Sequence, residues 1–283
     1  MTPPPQNLTP IFWEYASRRI PIRLLNHYRG MPVVNDGWIE RVEEQGALIS
    51  AHKNQIACLY LSRNTVVELE ALQLTLSARV IGIQLASRKA LLGDFQPIPR
   101  PFIHRAQIRV EPEVTVQVFL RAKSGFQEVN AAIKDLSTQG MGIYLERSLY
   151  HPRLYPMGGE IQLRFTLPVK NKGAAGQSAP QTEPNLIEER FSRENIRGLP
   201  QSGQPLKMTG ALKPPPNPGS INLRGIIRNI RPELGANRYR LGVLISALDE
   251  NGRLTLHQYM AQRQAELIRE LSALYDGIAR LGN

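Results

Sequence analysis

The sequence predicts a mainly β protein: two small antiparallel β-barrels in tandem, followed by a C-terminal α-helix. Three observations carry this. Short apolar runs of strand period, broken by turn residues, fill most of the chain. The first series of runs repeats further along. After Arg253 the apolar period changes to that of a helix.

Taken in order, residues 1–10 are proline-rich, and residues 1–17 are expected to form a flexible N-terminal segment. Within it, Ile11-Phe12-Trp13 offers a short hydrophobic anchor for the barrel that follows. Residues 18–86 carry that first barrel. Ile20-Pro21-Ile22-Arg23-Leu24 alternates, as does Cys58-Leu59-Tyr60-Leu61. Val66 to Leu69 and Ala78 to Gly82 follow the same trend. Residues 87–109, with Arg88, Lys89, Pro97, Pro99, Arg100 and Pro101, read as a basic, proline-punctuated linker. Residues 110–250 give a second barrel. It is interrupted at 169–220 by a stretch rich in Pro, Gly, Ser and Gln that reads as a disordered insertion, with a helical turn or two between Leu186 and Ile196. Asp249-Glu250-Asn251-Gly252 then supplies turn and cap signals for a helix over 251–283. Leu256, Met260, Leu267, Leu271, Leu274, Ile278 and Leu281 lie along one stripe of that helix, for packing on its own domain.

A shift of 94 residues lays the first barrel on the second without a gap. Ile20, Ile22 and Leu24 fall on Val114, Val116 and Val118, Gln45-Gly46 on Gln139-Gly140, and Val67 with Leu69 on Ile161 with Leu163. Beyond these a larger offset, created by the insertion, carries Ala78, Val80 and Ile83 onto Gly225, Ile227 and Ile230.

The chain has 283 residues and a net charge of +11, with pI near 10. Such charge predicts an anionic partner. The basic residues are scattered and aromatics make up only 6%, which argues against nucleic acid. The single cysteine, Cys58, excludes an internal disulfide framework, fits a reducing compartment and reads as a buried small hydrophobe. Five dispersed histidines give no metal spacing, and no cofactor is expected. No nucleophile–base pair, carboxylate cluster or phosphate loop suggests an enzyme. Without a membrane-length apolar stretch or a signal-peptide pattern, the expected location is cytoplasmic.

One hexapeptide carries legible chemistry. Asp135-Leu136-Ser137-Thr138-Gln139-Gly140 lies between apolar flanks as a strand-to-strand turn, in which Asp and Ser bond nearby backbone and Gly allows close approach. Upstream stands Arg105-Ala106-Gln107-Ile108-Arg109. Arginine pairs bidentately with phosphate or lies flat on a purine, and an ionised Asp135 accepts from the N–H edge of a guanine. RxxxR alone says little, for it recurs at Arg19/Arg23, Arg193/Arg197 and Arg224/Arg228. The ordered pair, RxxxR, then 25 residues, then DxSxxG, says more.

In that order and spacing, from about Pro101 to Leu248, the chain resembles the PilZ family of bacterial cyclic di-GMP receptors. Tyr239 to Ile245 is similar to the family's closing strand. In the first copy Arg41, Glu43 and Gly46 stand where Asp135, Ser137 and Gly140 do, and Ile11 and Tyr15 stand where the arginines do. A degenerate barrel before a motif-bearing one resembles the flagellar-brake type of PilZ protein. The resemblance implies that Arg105, Arg109, Asp135, Ser137 and Gly140 bind cyclic di-GMP. It also implies a signalling role in which binding rearranges the two barrels and regulates a downstream protein partner. The readings from other classes are a degenerate scaffold that no longer binds and a nucleic-acid-binding barrel. His104, just before the first arginine, bears on ligand stoichiometry.

Overall fold

A computed structural model describes residues 7–98, 108–123, 125, 127–168 and 220–281. Arg105, His104, the prolines of 99–101, the first six residues and the expected helical turns at 186–196 lie outside the described residues.

Two closed six-stranded antiparallel barrels form the body of the chain. The first comprises β1 (Pro21–Tyr28), β2 (Met31–Glu43), β3 (Gly46–Ala51), β4 (Asn64–Leu69), β5 (Leu74–Gln84) and β6 (Lys89–Pro97), in the order β1-β2-β3-β6-β5-β4. The second comprises β7 (Gln117–Ala122), β8 (Glu128–Leu136), β9 (Gly140–Glu146), β10 (Glu160–Thr166), β11 (Ser220–Pro232) and β12 (Arg238–Leu248). Its order, β10-β11-β12-β9-β8-β7, is the same circuit read from the other end.

The two copies agree below the level of topology. β2 and β3 slip register between Ile39 and Arg41, and β8 and β9 slip between Ile133 and Asp135, which is 94 residues on in both cases. β5 with β6 slips at Ser77/Arg79 and Val80/Gly82; β11 with β12 slips at the matching Arg224/Gly225 and Ile227/Asn229. A bulge adds twist, and a small barrel needs it at fixed corners.

Three segments depart from the sequence expectation. Thr9–Ser17, expected to be flexible, is helix α1; it buries Phe12 and Tyr15, and the Phe12 ring lies 4.6 Å from Phe95. Trp13, by contrast, is exposed. Lys89–Pro97, expected within the linker, is β6, without which the first barrel would not close. Alternation buries Ala90 and Leu92 while Lys89 reaches outward to Glu40 at 3.8 Å. Cys58 to Leu61, expected as strand, belongs to helix α2 (Lys53–Ser62). The His52 side chain accepts from the Asn54 N–H at its start, and Arg63, at φ 59°, ends it. α2 buries Ile56, Ala57, Cys58 and Leu59 together with Gln55, whose amide donates to Asn26 at 2.5 Å.

The C-terminal helix α3 (Glu250–Leu281) is capped by Asp249, which accepts from the Gly252 N–H at 2.7 Å. It packs on α2 of the first barrel and on β11 of the second. Its buried stripe runs through Leu256, Met260, Arg263, Leu267, Leu271 and Tyr275, so an arginine and a tyrosine stand in line with the leucines. Leu281 is exposed.

Candidate functional site

Asp135 sits at the β8 bulge. Ile133 pairs with Ile143 and Asp135 pairs with Gly142, so Lys134 is the extra residue. The side chain of Asp135 turns over Gly142, where an added Cβ would lie 2.9 Å from its Oδ2. Any other residue at 142 would contest the carboxylate's place, and the first copy has Leu48 there.

Only 4% of Asp135 is exposed, and such a carboxylate requires cationic partners. It has two. Arg109 donates from Nη1 to Oδ1 at 3.0 Å, and Arg240, on β12, donates from Nη2 to Oδ2 at 2.5 Å. Both guanidiniums remain partly exposed, at 33% and 39% of the side chain, so each keeps donors toward solvent. Sequence reasoning missed Arg240 because its pairing with Asp135 spans 105 residues.

Ser137 and Gly140 close the hairpin. The Ser137 N–H donates to the Gly140 carbonyl at 2.8 Å, and the Gly140 N–H donates to Ser137 Oγ at 3.0 Å. Ile245 N–H ties the turn to β12 through the Gln139 carbonyl. A Cβ on Gly140 would stand 2.5 Å from the Val243 carbonyl oxygen, which makes glycine obligatory. In the first copy a Cβ on Gly46 would meet the Leu92 carbonyl oxygen at 1.9 Å, at the matching place in β6. The one motif residue common to both copies is therefore the one the backbone demands.

Around Asp135 the face is cationic and carries one aromatic ring. Arg240 pairs across the ladder with Tyr144. The Arg238 guanidinium lies 3.7 Å from the centre of that ring and is also bonded to Glu233, and the Tyr144 hydroxyl donates to Glu233 at 2.9 Å. Burial, then the bond to Glu233, raises the Tyr144 pKa. Lys134, 6.0 Å from the same ring centre, is bonded to Glu111 at 2.5 Å; burial works against its charge, but Glu111 raises its pKa overall. A buried acceptor, two half-exposed guanidiniums and a ring form a surface suited to a planar base bearing N–H donors beside a phosphate. Of the five residues named from sequence, Arg109, Asp135, Ser137 and Gly140 come together here; Arg105 lies outside the described residues. Among the described residues no group of three or more His, Cys, Asp or Glu is arranged to hold a metal ion. No described helix is long and apolar enough to cross a membrane.

No protein-family profile matches the chain, and no curated protein matches it. Among solved structures it is similar to the Bacillus subtilis inhibitor of motility MotI/DgrA, at 13% identity over 87% of this chain and 96% of that one, with a TM-score of 0.35. It is similar to the K. pneumonia MrkH–c-di-GMP complex at 11% identity, over 93% and 95%, with a TM-score of 0.38. A third likeness, at 13% identity over 59% of this chain and 96% of that one, is to the PilZ domain with c-di-GMP of YcgR from Escherichia coli, with a TM-score of 0.35. All three TM-scores fall below 0.5. The chain's own residues carry RxxxR and, after a gap of 25 residues, DxSxxG at the β8–β9 turn of a six-stranded barrel.

Proposed function

We propose that the chain is a non-catalytic receptor for cyclic di-GMP, and that Asp135 between Arg109 and Arg240 is its recognition centre. The observation that carries this is the pairing of one buried acceptor with two guanidiniums that keep donors toward solvent. A guanine offers N1–H and N2–H to such a carboxylate, and the ligand's two phosphates suit the displaced arginines. Arg105 joins Arg109 on an arginine arm, the end of the linker that precedes the second barrel. Ser137 and Gly140 hold the turn in shape beside Asp135. Binding draws the arm over the ligand, changes the angle between the barrels and so regulates a protein partner.

Calorimetric titration of the purified chain with cyclic di-GMP tests the reading, with cyclic GMP as the control. Saturable heat with the dinucleotide alone, with affinity clearly weakened in Asp135→Asn, is the expected result. Absence of heat with the unaltered chain would overturn it.

A second reading, single-stranded nucleic acid on the second barrel, has one observation in its favour. Phe119, 40% exposed, lies under the Arg164 guanidinium at 5.0 Å, and the next outward row along the strands carries Arg121 and Arg224. Anisotropy with labelled oligonucleotides would favour it only if Phe119→Ala removed the binding.

A further inference from the structure

Arg109, Val110 and Glu111 are three consecutive residues that touch three parts of the molecule. Arg109 holds Asp135. Val110 and Leu136 exchange both backbone hydrogen bonds at 2.9 Å, which fastens the segment to the second barrel. Glu111 donates its N–H to the Arg29 carbonyl, in the β1–β2 turn of the first barrel, at 3.0 Å. Its own carbonyl accepts from Arg263 Nε of α3 at 3.0 Å.

These contacts close into a ring. Arg263 Nη1 donates to Glu270 at 2.6 Å, and Glu270 in turn accepts from Arg29 Nη1 at 3.1 Å. The circuit Arg29–Glu111–Arg263–Glu270 thus joins the first barrel, the segment bearing Arg109 and the C-terminal helix. The turn is shaped for it: Gly30 stands at φ +82°, and a Cβ there would be 3.2 Å from the Arg109 carbonyl oxygen.

Arg263 is 1% exposed, and its Nη2 has no hydrogen-bond partner among the described residues. Burial works against its charge, and Glu270 with Glu266 more than offsets it, so its pKa is raised. Yet a buried ion pair is a poor route to stability, since apolar side chains of similar volume commonly do as well. An arginine on the leucine stripe of α3, left with an unmet donor, suits a contact that is made in one state and given up in another.

We propose that this ring is a latch: it holds Arg109 on Asp135 and α3 against the barrels in the ligand-free chain, and ligand binding releases α3. The inference rests on the receptor reading above. A guanine edge that takes the Asp135 oxygen from Arg109 shifts that residue, and with it the Glu111 carbonyl two residues on, so Arg263 loses its acceptor. By reciprocity, weakening the ring removes a cost that the ligand otherwise meets, and affinity rises.

The test uses the full chain with Glu270→Gln and Arg263→Met, checked for folding by circular dichroism, with cyclic di-GMP as titrant. Both variants are expected to bind about five- to tenfold tighter, a gain that general destabilisation does not produce. In the unaltered chain the ligand is expected to speed amide exchange across residues 259–275 at least severalfold. Unchanged or weakened affinity in both variants, or unchanged exchange in α3 at saturation, would overturn the latch. If the unaltered chain takes up no cyclic di-GMP, the receptor reading fails and the latch is judged on Asp135→Asn without ligand. Faster exchange in α3 then supports it, and exchange identical to the unaltered chain refutes it.

Discussion

The two barrels share a strand circuit, three pairs of register slips and a hairpin glycine, yet only one carries the site. Where the second has Asp135, Ser137, Gly142 and Arg240, the first has Arg41, Glu43, Leu48 and Lys89. Its charges satisfy one another outside the core: Arg41 bonds Glu43 at 2.7 Å, and Lys89 lies 3.8 Å from Glu40. The arms differ in kind as well. Tyr15, the counterpart of Arg109, is buried in α1 beside Phe12. Apolar packing of that sort offers a polar ligand nothing to compete for, whereas the partly exposed Arg109–Asp135 pair offers charged groups, as the proposed receptor reading requires. The fold constrains the glycine and the bulges; it leaves the chemistry free.

The largest effect that would sharpen the contrast concerns Cys58. Burial pushes its thiol up to about 12, from an ordinary value near 9. The native chain should therefore hold about a thousandfold less thiolate than a free cysteine at pH 8, and alkylation should be slowed in proportion. Added urea should accelerate the reaction only as the first barrel opens. Rapid labelling of native protein would mean that α2 is not the sealed element of that barrel.

Next come the shared glycines. Gly46→Ala drives a methyl to 1.9 Å from the Leu92 carbonyl oxygen, and Gly140→Ala to 2.5 Å from that of Val243. Costs of about 3 and about 2 kcal/mol are expected, measured as shifts in urea midpoint. A neutral Gly46→Ala would break the claim that the two hairpins are kept by the same backbone approach.

Asp135→Ala should weaken cyclic di-GMP binding by about 30- to 100-fold, the loss of charge-assisted contacts of about 2–3 kcal/mol. Introducing Arg41→Asp with Glu43→Ser in the same chain should restore none of it, because Leu48 occupies the space that Gly142 leaves open. Restored affinity would show that the first barrel lacks only two side chains.

The smallest effect belongs to the β11–β12 turn of the second barrel. The hydrogen bond from Arg238 to Glu233 holds that carboxyl below its ordinary value. Its stabilisation is thus present above the unfolded carboxylate pKa and is lost as pH falls through the lower folded one. Glu233→Gln should narrow the stability gap between pH 5 and pH 3, seen as a smaller acid shift in urea midpoint than the unaltered chain shows.

Much of this was legible in local pattern. Strand alternation and its repeat after 94 residues determine two related barrels, because strand period and turn residues act over a few neighbours. The helical stripe after Arg253 and the Asp249 cap are equally local. So is the DxSxxG turn, whose Ser137 and Gly140 bond each other across three positions. Other features had to wait for the tertiary structure. The apolar run Ile56 to Leu61 fits strand or helix; in the fold it is part of α2, whose Gln55 to Leu59 are buried and whose Gln55 bonds Asn26 of β1. β6 hid behind Arg88 and Lys89, since a strand of mixed polarity is defined by its partners, here β3 and β5. Arg240 and Arg263 look like any two of many arginines until folding carries one to a carboxylate 105 residues away and the other to a carbonyl 152 residues away. Propensity acts between neighbours in sequence; a buried charge finds its partner only through the closed barrel, and that is where the candidate site around Asp135 was assembled.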